Sequence, residues 1–260
     1  MRTRDKMTKL EKASAMEFGR YLLPLIHGPF VNIRISPDDH EYKVSKGLLC
    51  TDSKYFSAMF EPKFSVSFKE GKEQSATLKA IKGVLSTSSF EALLQWIYLR
   101  TVRFEAMKPK DEISAAIELA RLGDMCMVTG LESEMANRIK EVITANPSRR
   151  HPRKGDVDIN SHCLEPCHFK SIAFLPRGHK VRQILAAASV DGYLRDGGYR
   201  FLSEVEEDPE LAVEILKQVR KTMAEVPQVP QARGIGRGLA TATDPLTGRV
   251  LDIVWKENVV

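Results

Sequence analysis

The sequence predicts an α+β fold, with a few short strands among helices, followed by an all-helical region. Three observations predict it. Phe30–Ile35 and Glu41–Ser45 both alternate apolar and polar residues, on either side of the turn-forming run Ser36-Pro37-Asp38-Asp39. Ser75–Ile81 alternates again after a helical stretch. Most of the remaining apolar clusters recur at three- and four-residue spacing, the period of an amphipathic helix.

The bulk properties agree with a folded, non-membrane protein. The 260 residues are 43% hydrophobic and 28% charged, ordinary for a globular chain that builds a core. A net charge of +5, from 39 basic and 34 acidic residues, is too mild to point to nucleic acid, and no nucleic-acid partner is expected. No apolar run approaches the ~18 residues of a membrane span. The N-terminus carries Arg2, Arg4, Asp5, Lys6 and Lys9 and has no apolar h-region, so a secretory signal is not expected. Four cysteines fit a reduced, cytoplasmic or nuclear protein better than a disulfide framework.

Taken in order, residues 1–27 begin as a polar tail, with a short mixed stretch from Met16 to Ile26 that Pro24 limits. In the first strand Val31, Ile33 and Ile35 face one way. In the second, Tyr42 and Val44 point inward, and the pair reads as a hairpin. From Lys46 the chain turns helical. Leu48, Leu49 and Cys50 make an apolar turn, and Asp52 or Ser53 is placed to cap a second helix. Tyr55, Phe56, Met59 and Phe60 give that helix a broad aromatic face needing a deep core. Glu61–Gln74 reads as a loop containing Phe64, Val66 and Phe68, and Ser75–Ile81 as a third strand paired with the hairpin.

Ser88–Tyr98 reads as a helix with Ser88 and Glu91 as a capping box and Phe90, Leu93, Leu94 and Ile97 on its inner face. Asp111–Leu122 follows, with Gly123 expected to end it in a left-handed turn. Leu131–Thr144 is the next helix and stops before Asn146-Pro147. Residues 147–170 are polar and interrupted by proline, as a linker is. Lys180–Leu194 and Pro209–Met223 are two further amphipathic helices, Pro209 suiting a first helical position. Beyond Val226 the chain is Pro- and Gly-rich and closes on Val250–Trp255, a late strand or a docking tail.

Few residues carry recognisable chemistry. His162, Cys163, Cys167 and His168 are zinc-type ligand residues, but adjacent pairs rarely turn both side chains toward one ion, and polar linker residues are the simpler reading. Arg233-Gly234-Ile235-Gly236-Arg237-Gly238 lacks the strand, helix and Gly-Lys-Ser/Thr of a phosphate loop and reads as a flexible segment. The Arg149–Lys154 cluster suits a solvated linker better than an import signal or nucleic-acid patch. Cys50 and Cys126 sit among apolar neighbours as small core residues. No catalytic residue, cofactor or metal site is assigned, and the chain is expected to be non-enzymatic.

The aromatic stretch Lys46–Phe60, with the strand pair before it and the helices after it, resembles a BTB/POZ domain of the divergent kind found in fungal BTB proteins. The pattern Phe90, Leu94, Trp96, Ile97, Tyr98, then Val102 and Phe104, is similar to the family's helix and following short β segment. The resemblance covers residues 30–144. A looser one, from Leu175-Pro176-Arg177-Gly178-His179-Lys180-Val181-Arg182, reaches residue 225 and the helical region that follows many such domains. It implies a small β-sheet capped by a cluster of α-helices, and this division: tail 1–27, BTB/POZ domain 28–146, linker 147–170, helical region 171–225 and flexible tail 226–260.

The resemblance also implies function. In family members that serve cullin-type ubiquitin ligases, a hydrophobic-x-Glu element before the third strand meets the cullin. Phe68, Lys69 and Glu70 stand at the matching place as partner-binding residues. The expectation is a substrate-recruiting adaptor with a cullin scaffold, a client protein and no membrane partner. The alternative is a self-associating structural or transcription-related BTB protein. A remote third is a zinc- or nucleic-acid-binding protein using residues 149–168. Two positions depart from the family: Phe30 stands where many members have Asp, and Ser45-Lys46 where the second strand usually ends in His-Lys. That Asp helps complete the buried polar pocket of the family dimer.

Overall fold

The computed structural model describes residues 16, 18–38, 40–61, 69–105, 107–148, 159–194, 199–224 and 239–254. The chain forms two compact units, Met1–Ala106 with Ala115–Glu134, and Met107–Ser114 with Met135–Val260.

The first unit is built on three strands, β1 (Phe30–Ser36), β2 (His40–Ser45) and β3 (Ser75–Lys79), in the order β2-β1-β3. β1 pairs antiparallel with β2, Val31 opposite Val44 and Ile33 opposite Tyr42, and parallel with β3, Ile33 beside Ala76 and Ile35 beside Leu78. The period-2 alternation puts Val31, Ile33 and Ile35 on the buried face, as the sequence requires. Val44 is buried, whereas Tyr42 is half-buried against the Phe90 ring and donates to Glu91 Oε1 at 2.9 Å.

A π-helical turn (Phe18–Leu22) runs into α1 (Leu23–Ile26) ahead of the sheet. Between β2 and β3 lie α2 (Lys46–Asp52), α3 (Lys54–Phe60) and α4 (Lys69–Glu73). The apolar turn expected at Leu48–Cys50 is a full helix, started by Ser45, whose Oγ accepts from Leu48 N. Of the two residues placed to cap α3 it is Ser53: its Oγ accepts from Phe56 N at 3.2 Å and donates to Cys126 O at 2.6 Å. Phe56 and Phe60 are fully buried and their rings are parallel, 6.4 Å apart. Tyr55 and Met59 are only half-buried.

Next come α5 (Thr87–Leu99), α6 (Pro109–Met125) and α7 (Leu131–Ala145). Three expectations need correction. The capping box of α5 is Ser86 with Ser89, two residues ahead of Ser88 and Glu91: Ser89 N donates to Ser86 Oγ at 3.1 Å and Ser86 N to Ser89 Oγ at 2.8 Å. Val102 and Phe104 form no strand, and Arg103 N donates to a side chain, Gln95 Oε1 at 2.7 Å. Gly123 does not end α6. It lies inside the helix because Leu131 packs on it, and a Cβ there would stand 2.7 Å from Leu131 Cδ2. α5 ends instead at Arg100 in left-handed geometry, where its guanidinium bonds the buried Asp52 carboxylate and stacks 5.6 Å from the Trp96 ring.

The second unit holds α8 (Pro166–Ile172), α9 (Lys180–Ala188), α10 (Val190–Leu194), α11 (Leu202–Glu207) and α12 (Pro209–Ala224). The single helix expected over 180–194 breaks at Ser189, whose Oγ donates to Leu185 O at 2.7 Å and accepts from Tyr199 at 2.7 Å. α12 begins at Pro209, with Asp208 Oδ1 accepting from Glu210 N and Leu211 N, both at 3.1 Å. Strands β4 (Leu239–Thr243) and β5 (Val250–Val254) form an antiparallel hairpin near the C-terminus. Asp244 closes its turn by accepting from Leu246 N and Thr247 Oγ1. The Arg149–Lys154 and Arg233–Gly238 segments lie outside the described residues.

Candidate protein-interaction surface

The Glu61–Gln74 stretch, expected as a loop, ends in helix α4, which packs against α3 and has Gly71 buried. Gln74 closes that helix in left-handed conformation, φ 51°. Its side chain explains the cost: Nε2 donates to Gly71 O and Oε1 accepts from Lys46 Nζ at 2.8 Å. Gln74 O accepts from Asn32 N at 3.0 Å, so α4 is pinned directly to β1.

Of the predicted triplet, Phe68 lies outside the described residues, while Lys69 and Glu70 open α4. The Lys69 side chain is 80% exposed and pairs with Glu73 at 3.5 Å, an ion pair worth little in water. Glu70 is half-buried and sits near Tyr55 of α3. Burial first, then the neighbouring Cys126 and Glu70, push the Tyr55 phenol above its ordinary value. Tyr55, Glu70 and the exposed Lys69–Glu73 ion pair together give this face a mixed apolar and charged character. The sequence placed Tyr55 in the core, and nothing in its spacing distinguished it from Phe56.

Apolar surface is also exposed ahead of β1. Met16 is 58% exposed, Phe18 43% and Leu23 39%, while Leu22 of the same turn is buried. This segment is held to the sheet by Ser45, whose Oγ donates to Leu25 O.

Residues 25–134 match the BTB/POZ domain family model. The chain carries a BTB/POZ domain. No curated protein matches the chain. A BTB/POZ domain is a protein–protein interaction module.

The two departures from the family pattern have definite places in this BTB/POZ domain. Phe30 is 42% exposed on the outer face of β1, with Lys43 Nζ 5.3 Å from its ring centroid. Ser45 is fully buried as the cap of α2, and its backbone N donates to Tyr98 OH at 2.7 Å. A hydroxyl is small enough to serve both Leu48 N and Leu25 O there, which the larger imidazole is not.

In the second unit, His162, Cys163, Cys167 and His168 are not brought together. Cys163 is buried and donates to Asn146 O at 3.5 Å; Cys167 is exposed. Among the described residues no group of His, Cys, Asp and Glu is arranged to hold a metal ion.

His168 caps α8. Its Nδ1 accepts from Glu165 N at 3.0 Å, so the neutral ring carries its proton on Nε2, 3.1 Å from Lys110 O and 2.9 Å from Ser114 Oγ. With no lone pair facing Ser114, the pair has no nucleophile-and-base geometry. Burial lowers the His168 pKa from 6.5, outweighing the favourable Lys110 carbonyl, Glu165 and Asp111. The neutral form is therefore favoured by folding, and this contribution to stability is complete above pH 6.5 and is lost as pH falls below it. The urea midpoint is expected to fall between pH 7.5 and 5.5. His168→Asn, whose Oδ1 can still accept from Glu165 N, is expected to show a smaller fall. An equal fall in both proteins would show that the acid sensitivity lies elsewhere.

Proposed function

We propose that the chain is a substrate-recruiting adaptor of a cullin-type ubiquitin ligase. Phe68, Lys69 and Glu70 of the BTB/POZ domain meet the cullin scaffold, and the C-terminal helical region holds a client protein. The observation carrying this reading is the placement of Lys69 and Glu70 on a short helix pinned to β1 and α3. Lys69 there faces water, and Glu70 lies beside the half-exposed Tyr55. The protein is non-enzymatic and resides in the cytoplasm or nucleus, where its four free cysteines stay reduced. The departures at Phe30 and Ser45-Lys46 and the run Leu175–Arg182 support a divergent BTB protein of the fungal kind.

The test is titration of the full chain with the purified N-terminal region of a cullin. Micromolar or tighter binding is expected. Phe68→Ala with Glu70→Ala should weaken it at least ~10-fold, the loss of about 1.4 kcal/mol, without moving the thermal midpoint. Unchanged affinity in the double variant would remove these residues from the interface.

The exposed Met16, Phe18 and Leu23 favour a second reading, self-association without a cullin. Light scattering separates the two. A dimer that Phe18→Ser with Leu23→Ser converts to monomer, together with no cullin binding, would replace the adaptor by this alternative.

A further inference from the structure

Helix α12 buries one face in its own unit and leaves the other open among the described residues. The buried side holds Leu211, Ile215 and Thr222, and α12 packs against α9, α10 and α11. Val213, Leu216, Lys217 and Arg220 fall within about 100° of one another around the helix, on the opposite side. Val213 is 40% exposed and Leu216 51%, and Lys217, Arg220 and Lys221 are exposed beside them.

The helix alone does not account for these charges. Cations near a helix C-terminus answer its dipole, but that effect is confined to the last turn, where only Lys221 lies. Lys217 stands at i,i+3 to Arg220 and at i,i+4 to Lys221, spacings at which like charges oppose the helix. Carboxylates answer Lys110, Arg138, Lys170 and Arg182 of the same unit. Lys217, Arg220 and Lys221 form no ion pair among the described residues, and no acidic residue follows Glu214 in the helix. Anionic groups from outside would relieve this repulsion, and Val213 and Leu216 add apolar area to the same stripe.

We propose that this face of α12 docks an acidic, apolar-bearing helical segment of a partner protein. The inference rests on the client-holding role given to the C-terminal helices above, not on the cullin contact. Val213, Leu216, Lys217 and Arg220 stand at i, i+3, i+4 and i+7, the seam by which one helix meets another. Apolar side chains of the partner cover Val213 and Leu216, and its carboxylates meet Lys217, Arg220 and Lys221. From Val213 to Lys221 the stripe runs about 12 Å, so the partner contributes roughly two turns. A bilayer would need the broad apolar face that α12 has already buried. A nucleic-acid backbone would use the cations and leave Val213 and Leu216 unused.

The experiment titrates the full chain with a labelled, helix-stapled peptide of about 15 residues, leucine and glutamate alternating on its contacting face at helical spacing. A second peptide has lysine in place of each glutamate. The wild type is expected to bind the glutamate peptide at least ~10-fold more tightly than the lysine peptide. Val213→Ser with Leu216→Ser should weaken that binding ~10-fold. Lys217→Glu with Arg220→Glu should reverse the preference, an exchange that mere unfolding cannot produce. Equal binding of the two peptides by the wild type would overturn the proposal, as would an unreversed preference in the charge variant. Tighter binding to phosphatidylserine vesicles or to duplex DNA than to the glutamate peptide, lost in the charge variant, would replace the protein partner by that ligand. Titration with the purified cullin N-terminal region runs alongside. Cullin binding without peptide binding removes this docking face and leaves the adaptor reading; peptide binding without cullin binding does the opposite.

Discussion

Arg182→Ala is expected to destabilise the C-terminal helical unit by about 3–5 kcal/mol, the cost of breaking a buried ion pair. Arg182 is fully buried in α9 and each arm of its guanidinium is used. Nε donates to Glu214 Oε2 at 3.2 Å, Nη1 to Ile172 O at 2.9 Å, and Nη2 to the Asp208 carboxylate at 3.1 and 3.3 Å. One side chain thereby joins the end of α8, the residue that caps α12 and the middle of α12. Alanine would leave Glu214, itself buried, as an uncompensated charge and open a cavity. Lysine is no substitute, since a single ammonium cannot span three acceptors in a planar fork. Urea denaturation measures the loss, and limited proteolysis should show new cleavage within residues 159–224. Arg182→Ala with a midpoint near wild type would mean that the network is not essential to the unit.

Phe56→Ala is expected to cost about 3–5 kcal/mol, the usual range for removing a fully buried aromatic. Phe56 has no solvent exposure, lies parallel to Phe60 and meets the Tyr55 ring edge-on at 5.1 Å. Its carbonyl accepts from the Cys50 thiol at 3.6 Å, so the residue also joins α3 to α2. The thermal midpoint should drop by about 10 °C. Tyr55→Ala, one position earlier but half-exposed, should cost much less. Equal losses at the two positions would contradict the burial on which the domain's core depends.

Much of the BTB/POZ domain was legible because its signals are local and periodic. Val31, Ile33 and Ile35 can share a buried face only as a strand, and Phe90, Leu93 and Ile97 only as a helix. Start and stop signals were less reliable. Ser86, Ser88 and Ser89 all have the hydroxyl a cap requires, and the choice fell to Ser86, whose Oγ also donates to Glu118 Oε1 at 2.6 Å in α6. Gly123 carried a stop signal that its packing against Leu131 overrode, and Met127, which ends the helix, carries none.

The candidate site was legible only as a triplet of residue types ahead of β3. That Lys69 and Glu70 lie on a helix packed against α3, with Glu70 near Tyr55, depends on contacts between residues apart in sequence. His168 and Arg182 show the same limit. His168 falls in a stretch that reads as a polar linker and Arg182 in one that reads as an amphipathic helix, and both are buried because partners distant in sequence satisfy them: Lys110 and Ser114 for His168, Asp208 and Glu214 for Arg182.

Apolar periodicity along the chain by itself determined the three strands of the β2-β1-β3 sheet, the principal helices and the aromatic core around Phe56. Only the tertiary structure decided which serine caps α5, which residue ends α6 and which polar side chains are buried. Periodicity is set by a residue's nearest neighbours in sequence, whereas capping, strain and burial of charge depend on groups that meet only once the chain has folded.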